Sequence, residues 1–328
     1  MSKFSIILPV KNGGAYLKEC VNSILSQTFI EFNLLVLDNN SDDGSSQWLQ
    51  TINDERVIIY RSSVSLSMEE NWARIITLPK NEFMTIIGHD DVFHNQYLQE
   101  MSELIFRFPD AGLYQTHFDF IDENGKYLRT AQPMNEIQYA DDFIKCQILK
   151  TLDSMGTGYM FRSSDYDRLG GIPSDYPNLI FADYALWVML TSISYKATSI
   201  NKCFNYRLHN STSRLTNGML YCQAFEKYIY FLASVSKENN EVKFVIDQYG
   251  KKFLLDYCES LSHRLLKTPF SKRQMKVSDF LENCNGYAKA LIPKEEFLPK
   301  RNFKILIAEI LDSNFIAREL FFFIRRFI

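Results

Sequence analysis

Short apolar runs alternate with amphipathic stretches along the first third of the chain. Residues 4–10, 32–37 and 83–87 are apolar almost throughout and too short for helices, which is typical of strands buried in a parallel sheet. Apolar residues at helical spacing lie between the first two runs, namely Leu17, Cys20, Val21, Ile24 and Leu25. This alternation predicts an α/β fold with a doubly wound, mostly parallel sheet and right-handed crossovers.

The later pattern first adds further strands and helices to this fold and then becomes helical. Ser67 and Glu70 have the spacing of a capping box at the start of a helix, and the polar turn 122–125 indicates a hairpin. Further strands are predicted at 57–60, 114–121, 156–161 and 204–207, and further helices at 96–108 and 183–193. From about residue 216 long helical patterns continue to the end. We therefore expect an α/β domain over 1–215 and a helical region over 216–328.

Composition narrows the class of protein. The chain of 328 residues is 46% apolar and 23% charged, as expected for a folded globular protein. A net charge of −3 argues against general nucleic-acid binding. Six cysteines without CxxC spacing predict reduced, buried thiols rather than disulfides or a zinc site. With no signal-peptide pattern and no apolar stretch long enough to span a membrane, we expect a cytoplasmic protein.

Carboxylates follow two of the predicted strands. Asp38 ends one apolar run, and Asp90 with Asp91 follows another. The carboxyl ends of parallel strands border the crevice where open α/β sheets bind ligands. A divalent cation or a hydrogen-bonding sugar would relieve the repulsion among three acidic groups there. The alternative is that Asp91 only caps the following helix.

Four segments together resemble a known family. They are residues 5–12 (SIILPVKN), 23–28 (SILSQT), 35–45 (LVLDNNSDDGS) and 89–91 (HDD). In order and spacing they resemble the family 2 glycosyltransferases, inverting enzymes of the GT-A fold, over about residues 3–215. The resemblance implies that a nucleotide-diphosphate sugar is bound. The positions matching the nucleoside site are Pro9, Lys11, Asp38 and Asn39.

The resemblance also implies a divalent metal, Mn²⁺ or Mg²⁺, bridging the diphosphate of the donor. Asp90 and Asp91 match the later acidic positions of the family's Asp-x-Asp motif, which contacts ribose and metal, whereas Gly88 stands where the family often has another Asp. Arg207 and His209 lie in a polar cluster with Ser211 and Ser213. The resemblance implies that they meet the diphosphate or the metal; the alternative is a solvated loop.

Asp183 is the candidate base. The family carries an acidic pair at the start of a helix here, and this chain has Ala182 before Asp183. A carboxylate at this position would take the proton of the acceptor hydroxyl, although it would also suit a helix cap. At residues 156–158 (GTG) the glycines either allow the backbone to approach a sugar closely or form a bulge in a strand.

Tyr184 and Trp187 have two possible roles, which are stacking on a sugar and packing in the core.

The final segment is aromatic and basic. Residues 300–328 hold six basic and three acidic side chains, and the chain ends LFFFIRRFI. Such a helix would suit the interface of an anionic membrane. The alternative is a terminal helix packed on the domain or on a second copy of the chain.

The sequence thus predicts a metal-dependent inverting glycosyltransferase that moves a sugar from a UDP-linked donor to a hydroxyl of a glycan or a lipid-linked glycan. The departures at Gly88 and Ala182 leave one alternative, a non-catalytic sugar-nucleotide-binding or scaffold protein of a polysaccharide assembly complex. A dinucleotide-dependent oxidoreductase is excluded, because the first turn, residues 10–14 (VKNGG), lacks the GxGxxG pattern.

Overall fold

The computed structural model describes residues 3–209, 216–268 and 272–325. The chain divides into two compact units. The first, the α/β unit, comprises Met1–Asp175 and Ala182–Ser211. The second, the helical unit, comprises Tyr176–Phe181 and Thr212–Ile328. The six residues before Ala182 therefore belong to the helical unit.

The α/β unit is built on one mixed sheet. Its strands are β1 (Phe4–Val10), β2 (Phe32–Asp38), β3 (Val57–Ile59), β4 (Phe83–Ile86), β5 (Val92–Phe93), β6 (Leu113–Ile121), β7 (Tyr127–Thr130), β8 (Ile137–Gln138), β9 (Tyr159–Arg162) and β10 (Lys196–Arg207). The order along the sheet is β3-β2-β1-β4-β9-β6-β10-β5, with β7 beside β6 and β8 beside β10. The two longest ladders, β1–β2 and β6–β10, are parallel. The predicted α/β class with a mostly parallel sheet is confirmed.

Strand β1 is the centre of the parallel half of the sheet. All seven of its residues are buried, as its sequence, apolar except for Ser5, predicts for a strand covered on both faces. It pairs in parallel with β2 on one side and β4 on the other. Val10 lies opposite Asp38 in this register, so the carboxyl ends of β1 and β2 lie at one edge. The polar turns that follow β1, β2 and β4 therefore share that edge.

The helices of this unit follow the predicted apolar spacing. In the first helix the buried side chains are those of Leu17, Cys20, Val21 and Ile24. The capping box of Ser67 and Glu70 is present with both of its hydrogen bonds. The helices are α1 (Gly14–Leu25), α2 (Ser45–Leu49), α3 (Met68–Ala73), α4 (Tyr97–Arg107), α5 (Ala140–Leu149), α6 (Ser163–Arg168) and α7 (Ala182–Ile193).

The second half of the sheet departs from the prediction in two ways. Strand β9 inserts antiparallel between β4 and β6, and it is shorter than the predicted run 156–161. Strand β10 begins at Lys196 rather than at residue 204. The prediction was wrong there because the register of β10 against β6 shifts between Ser199 and Phe204. Polar residues at this irregularity break the apolar pattern that marks a strand.

The helical unit contains α8 (Gly218–Glu238), α9 (Asn240–Leu266), α10 (Val277–Leu291), α11 (Phe303–Ser313) and α12 (Phe315–Arg325). Aromatic rings fill its core: the ring of Phe225 stacks on Tyr257 and meets Tyr287 edge-on. The predicted terminal helix is divided in two at Asn314. Within the described residues, no helix combines the length and apolar content needed to cross a bilayer.

A buried ion cluster attaches α12 to the rest of the helical unit. Arg318 is fully buried and pairs with Asp312, whose other carboxylate oxygen accepts a hydrogen bond from the backbone N–H of Val277. Arg273 donates to the same aspartate at 3.1 Å. Removing one partner of such a buried network would leave uncompensated charge, which is strongly destabilising. One face of the terminal helix is therefore packed on this unit.

Candidate active site

Asp38 is the last residue of β2, and only one of its two carboxylate oxygens accepts a hydrogen bond from a described residue. The side chain is fully buried, and its Oδ1 accepts a hydrogen bond from the backbone N–H of Ser41 at 3.0 Å. Its Oδ2 has no hydrogen-bond donor among the described residues, although the Nε of Arg61 lies 3.6 Å away. A buried carboxylate oxygen without a donor is costly unless a ligand satisfies it.

The other predicted nucleoside residues have different environments. The Asn39 amide is engaged on both sides, because it donates to the Leu66 carbonyl at 2.9 Å and accepts from the Leu66 N–H at 2.7 Å. Asn39 therefore holds the loop after β3 in place. Pro9 is buried within β1, and the side chain of Lys11 is exposed just beyond that strand.

Two loops at this edge are hydrogen-bonded to each other. The backbone N–H of Asn12 donates to the Ser41 hydroxyl at 2.9 Å, and the Asn12 side chain accepts from the N–H of Asp42 at 3.0 Å. The N–H of Gly14 donates to an Asp43 carboxylate oxygen at 3.0 Å. Because these bonds join residues about 30 apart in sequence, the loops after β1 and β2 form one preorganised rim around Asp38.

The turn after β4 brings two predicted metal ligands together. The Oδ2 of Asp90 lies 2.5 Å from the Nε2 of His209, and each side chain keeps about a quarter of its surface exposed. The ring of Tyr16 lies 5.7 Å from the imidazole of His209. A partly exposed carboxylate and imidazole in contact are a chemically suitable pair of ligands for a divalent metal.

Asp91 points into the protein instead. It is 3% exposed, and its oxygens accept hydrogen bonds from the Thr157 hydroxyl at 2.9 Å and from the backbone N–H of Arg207 at 3.0 Å. Burial and then the charge of Asp90 raise the pKa of Asp91 well above its ordinary value. Both of its oxygens are engaged by protein donors.

Gly88 makes room for these two carboxylates. A Cβ atom at this position would lie 2.6 Å from the Oδ1 of Asp90 and 3.0 Å from an Asp91 oxygen. Any side chain at position 88 would therefore displace Asp90. The Asp90 carboxylate can occupy its present position because residue 88 is a glycine and not the additional Asp that the family often has.

The guanidinium of Arg207 is occupied by protein acceptors. It donates to the carbonyl of Asp90 at 2.7 Å, to the carbonyls of Asp122 and Glu123 at 3.2 and 3.3 Å, and to the Glu19 carboxylate at 2.6 Å. The side chain is almost fully buried. Arg207 thus joins α1, the turn after β4 and the β6–β7 hairpin to the end of β10. This environment differs from the phosphate contact predicted for it.

Asp183 lies in the first turn of α7 and keeps part of its surface exposed. Desolvation by the surrounding protein raises the pKa of its carboxyl group to about 7, an effect that a hydrogen bond from the N–H of Tyr184 only partly offsets. One of its oxygens lies 3.4 Å from where a Cβ of Gly156 would be. A carboxylate with a pKa near neutrality suits proton transfer.

The phenol of Tyr206 connects the acidic groups. Burial raises its pKa, and the charges of Asp91, Asp90 and Asp183 raise it further in that order. The charges of all three carboxylates thus favour the protonated form of this phenol. Asp38 lies apart from them on β2, with β1 between β2 and β4.

The remaining candidates have structural environments or lie outside the described residues. Trp187 is buried, and its indole N–H donates to the Met155 carbonyl at 2.9 Å, so core packing is its role. His89 is half-buried, and burial lowers its pKa. Ser211 and Ser213 lie outside the described residues.

The pair formed by Asp90 and His209 fits a divalent metal bound together with a diphosphate. Within the described ranges, no cluster of three or more acidic, histidine or cysteine side chains is arranged to hold a metal alone. Two protein ligands leave most of an octahedral coordination shell to oxygens from phosphate and water, as is usual for Mg²⁺ at nucleotide sites.

Sequence reasoning missed Glu19 and Tyr16, and it singled out the segment 156–158 without predicting a role for the Thr157 side chain. Each of these three residues contacts a predicted site residue. Thr157 is hydrogen-bonded to Asp91 and Glu19 to Arg207, and the ring of Tyr16 lies under the guanidinium of Arg207. Their partners are 66 and 188 positions away for Thr157 and Glu19. No local pattern signals contacts at that separation.

The first half of the chain is similar in sequence to known glycosyltransferases. A family model described as glycosyl transferase family 2 matches residues 5–170, slightly more than half of the chain. An uncharacterized glycosyltransferase of Rickettsia conorii is 25% identical over 132 residues, and the match covers 39% of this chain and 22% of that protein. This chain therefore spans about a fifth of that relative. TuaG of Bacillus subtilis, a putative teichuronic acid biosynthesis glycosyltransferase, is 25% identical over 219 residues, covering 63% of this chain and 80% of TuaG.

Solved structures share the fold at low identity. S. aureus TarS 1–349 in complex with UDP-GlcNAc has a TM-score of 0.69 and 13% identity, covering 88% of this chain and 81% of that one. The mannosyltransferase PcManGT from Pyrobaculum calidifontis, in complex with GDP-Man and Mn²⁺, has a TM-score of 0.50 and 13% identity, covering 95% and 87%. The motifs, the fold and the family match agree, and the chain belongs to glycosyl transferase family 2.

Proposed function

We propose that this glycosyltransferase transfers a sugar, with inversion, from a UDP-linked donor to a hydroxyl of a glycan or lipid-linked glycan. The observation that carries the proposal is the contact between the Asp90 carboxylate and the His209 imidazole, 2.5 Å apart in the turn after β4. A carboxylate bound to a metal and a carboxylate available as a base are the two groups that such a transfer needs at one centre.

The donor would bind at the rim formed by the loops after β1 and β2. The free oxygen of Asp38 is suited to accept a hydrogen bond from the N–H of a base or from a ribose hydroxyl. Lys11, exposed beside it, would attract the diphosphate. The choice of uracil is supported by the TarS complex, whose ligand is UDP-GlcNAc.

Asp90 and His209 would hold the divalent metal. When bound, Mn²⁺ or Mg²⁺ neutralises the charge that develops on the departing diphosphate. The Mn²⁺ in the PcManGT complex supports the choice of metal. Arg207 would keep the metal-binding turn in place through its hydrogen bond to the carbonyl of Asp90.

Asp183 would act as the base. Its carboxylate would accept the proton of the acceptor hydroxyl while the hydroxyl oxygen forms its bond to the anomeric carbon and the bond to the diphosphate breaks. Attack from the face opposite the leaving group inverts the anomeric centre. A pKa of about 7 leaves a substantial fraction of Asp183 deprotonated at neutral pH and still basic enough to take the proton.

The acceptor assignment is supported by TuaG, whose name places it in teichuronic acid biosynthesis. A lipid-linked acceptor would be reached from a membrane surface. Ile316 and Leu320 lie one turn apart on α12, with 77% and 56% of their surfaces exposed. We propose that this exposed apolar face, in a segment rich in basic residues, lies on the inner face of the cytoplasmic membrane.

The enzymatic proposal is tested with purified full-length protein and a panel of UDP- and GDP-sugars, with and without Mn²⁺. Thermal unfolding reports binding, because a ligand that binds only the folded state raises its melting temperature. Release of the free nucleotide reports turnover. A Mn²⁺-dependent shift with UDP-sugars and with turnover supports the proposal. Binding without turnover by the wild type would instead support the non-catalytic alternative, which the replacements at Gly88 and Ala182 motivate.

The membrane proposal is tested by sedimentation with liposomes that contain anionic lipid. The double variant Ile316→Ser/Leu320→Ser should lose most of the bound fraction. A matched control replaces two exposed apolar residues of the α/β unit, Phe106→Ser/Ile200→Ser, which are 86% and 84% exposed. Equal binding by both double variants would contradict the membrane proposal and leave a protein partner or a second copy as the occupant.

A further inference from the structure

Thr157 connects two parts of the candidate site that the sequence treats separately. Its hydroxyl donates to the Oδ2 of Asp91 at 2.9 Å, and both side chains are more than nine-tenths buried. The other Asp91 oxygen accepts from the N–H of Arg207. A hydrogen bond to a buried carboxylate is among the stronger ones in proteins, so Thr157 is held firmly against the metal-binding turn.

The residue before Thr157 lies against the candidate base. The place that a Cβ of Gly156 would take is 3.4 Å from an oxygen of Asp183, so the backbone at Gly156 lies next to this carboxylate. Thr157 thus meets Asp91 through its side chain, and the residue before it is a neighbour of Asp183.

The rest of this segment, residues 155–158, is fixed at both ends. The carbonyl of Met155 accepts a hydrogen bond from the indole of Trp187 on α7, at 2.9 Å. The N–H of Gly158 donates to the Ile86 carbonyl of β4 at 2.8 Å. Gly158 has a φ of +79°, and the Phe204 ring occupies the place of a Cβ at 2.7 Å, so only glycine fits there.

We propose that segment 155–158 sets the position of the base Asp183 relative to the metal-binding turn at Asp90, and that Thr157 is its positioning residue. The inference rests on the proposed function, because it takes Asp183 as the base and Asp90 as a metal ligand. Asp91 then serves to hold Thr157 and the end of β10 rather than to bind the metal. A displacement of about 1 Å at a reacting group costs on the order of a hundredfold in rate.

The test compares Thr157→Val, which keeps the shape and removes the hydroxyl, with Thr157→Ser, which keeps the hydroxyl. The matched control is Ser5→Ala, because Ser5 is also fully buried and its hydroxyl accepts a hydrogen bond from the backbone N–H of Asn81 at 2.8 Å, with no contact to segment 155–158 among the described residues. UDP release from UDP-GlcNAc with Mn²⁺ is measured, together with the thermal stability of each variant.

We expect Thr157→Val to lower the maximal rate by about tenfold or more, because the rate depends steeply on the position of the base. The KM for the donor should stay within about threefold of the wild-type value, because donor binding does not depend on the base. Thr157→Ser should recover most of the rate, and Ser5→Ala should lose stability without losing rate. If Thr157→Val and Ser5→Ala behave alike, the positioning role is overturned.

A second measurement keeps the inference separate from the proposed function. The carboxyl carbon of Asp183 is followed by NMR as a function of pH, which needs no substrate. Displacement of segment 155–158 in Thr157→Val should move the Asp183 midpoint by at least about half a pH unit, whereas Ser5→Ala should not. If the wild type releases no nucleotide from any donor, the proposed function fails. The titration then still tests the positioning role by itself, and an unchanged Asp183 midpoint in Thr157→Val overturns that role.

Discussion

The imidazole Nε2 of His209 lies 2.5 Å from the carboxylate of Asp90, although 119 positions separate the two residues. If both hold the metal, His209→Ala should raise the Mn²⁺ concentration needed for half-maximal turnover by about tenfold, the scale of effect seen when a metal site loses supporting interactions. Turnover measured against Mn²⁺ concentration checks this. His94→Ala, at an exposed histidine, is the control. An unchanged Mn²⁺ requirement would remove His209 from the metal site.

Gly88→Ala should impair the enzyme even though the family often carries a larger residue at this position. The added Cβ would lie 2.6 Å from the Oδ1 of Asp90, so this carboxylate has to leave the position in which its Oδ2 meets His209. We expect a loss of Mn²⁺-dependent turnover of about tenfold or more, from misplacement of a reacting group. Gly286→Ala, where the nearest atom is the Tyr230 hydroxyl oxygen at 3.8 Å, controls for the substitution itself. Full activity in Gly88→Ala would show that Asp90 tolerates another position.

The rate should follow the ionisation of Asp183. Because the pKa of this group is about 7, the maximal rate of the wild type should rise between pH 6 and 8 and then level off. Asp183→Asn should lower the rate by about 10²–10⁴ and leave no such rise. Nucleotide affinity, measured by calorimetry with UDP and Mn²⁺, should stay nearly unchanged. Wild-type turnover by this variant would refute its role as the base.

The same group should reduce stability above neutral pH. The folded protein holds the Asp183 proton more tightly than the unfolded chain does, so the free energy of unfolding falls as pH rises from about 4 to about 7. Asp183→Asn should therefore be more stable than the wild type at pH 8, by on the order of 2 kcal/mol, and no more stable at pH 4. Urea unfolding at the two pH values measures this difference. A pH-independent difference would show that the carboxyl group is not desolvated.

Arg207→Lys separates a structural clamp from a phosphate contact. A lysine cannot reproduce the hydrogen bonds that the guanidinium makes to Glu19 and to three carbonyl groups. We expect the free energy of unfolding to drop by about 2–4 kcal/mol, since a buried charge loses partners, and the affinity for UDP with Mn²⁺ to change less than tenfold.

The control for that change is Arg129→Lys, because Arg129 pairs with Asp153 at a half-exposed site. It should cost less than about 1 kcal/mol. A large loss of UDP affinity in Arg207→Lys at unchanged stability would instead support the phosphate contact that the family resemblance implies.

The parts of the fold that follow from local pattern were predictable from the sequence. Strand β1 and helix α1 were predicted because a continuous apolar run and a helical stripe are readable over seven to twelve residues. The start of β10 was not predictable, because Lys196 is buried there through a hydrogen bond to Gln138, a partner 58 residues away. Helix α5, over Ala140–Leu149, was not predicted either.

The same distinction holds for the candidate site. The carboxylates at the ends of β2 and β4 were identified from their positions in the pattern, and Asp183 at the start of α7 was identified mainly from the family resemblance. The buried orientation of Asp91 was not, because it depends on Thr157 and on a backbone N–H from β10. Likewise, the partners of Arg207 come from three separate turns and helices. Side-chain direction at a strand end depends on tertiary contacts that no local pattern contains.

The order of strands in the sheet also constrains when it is completed during synthesis. Strand β9 separates β4 from β6, and β6 finds its long parallel partner only in β10, which ends at Arg207. Strands β1 to β4 can pair soon after they leave the ribosome, whereas β6 must wait for more than 70 further residues with one or both of its edges unpaired. Such an edge invites pairing with other chains. A nascent chain that stalls before residue 207 would therefore be the form most prone to aggregate.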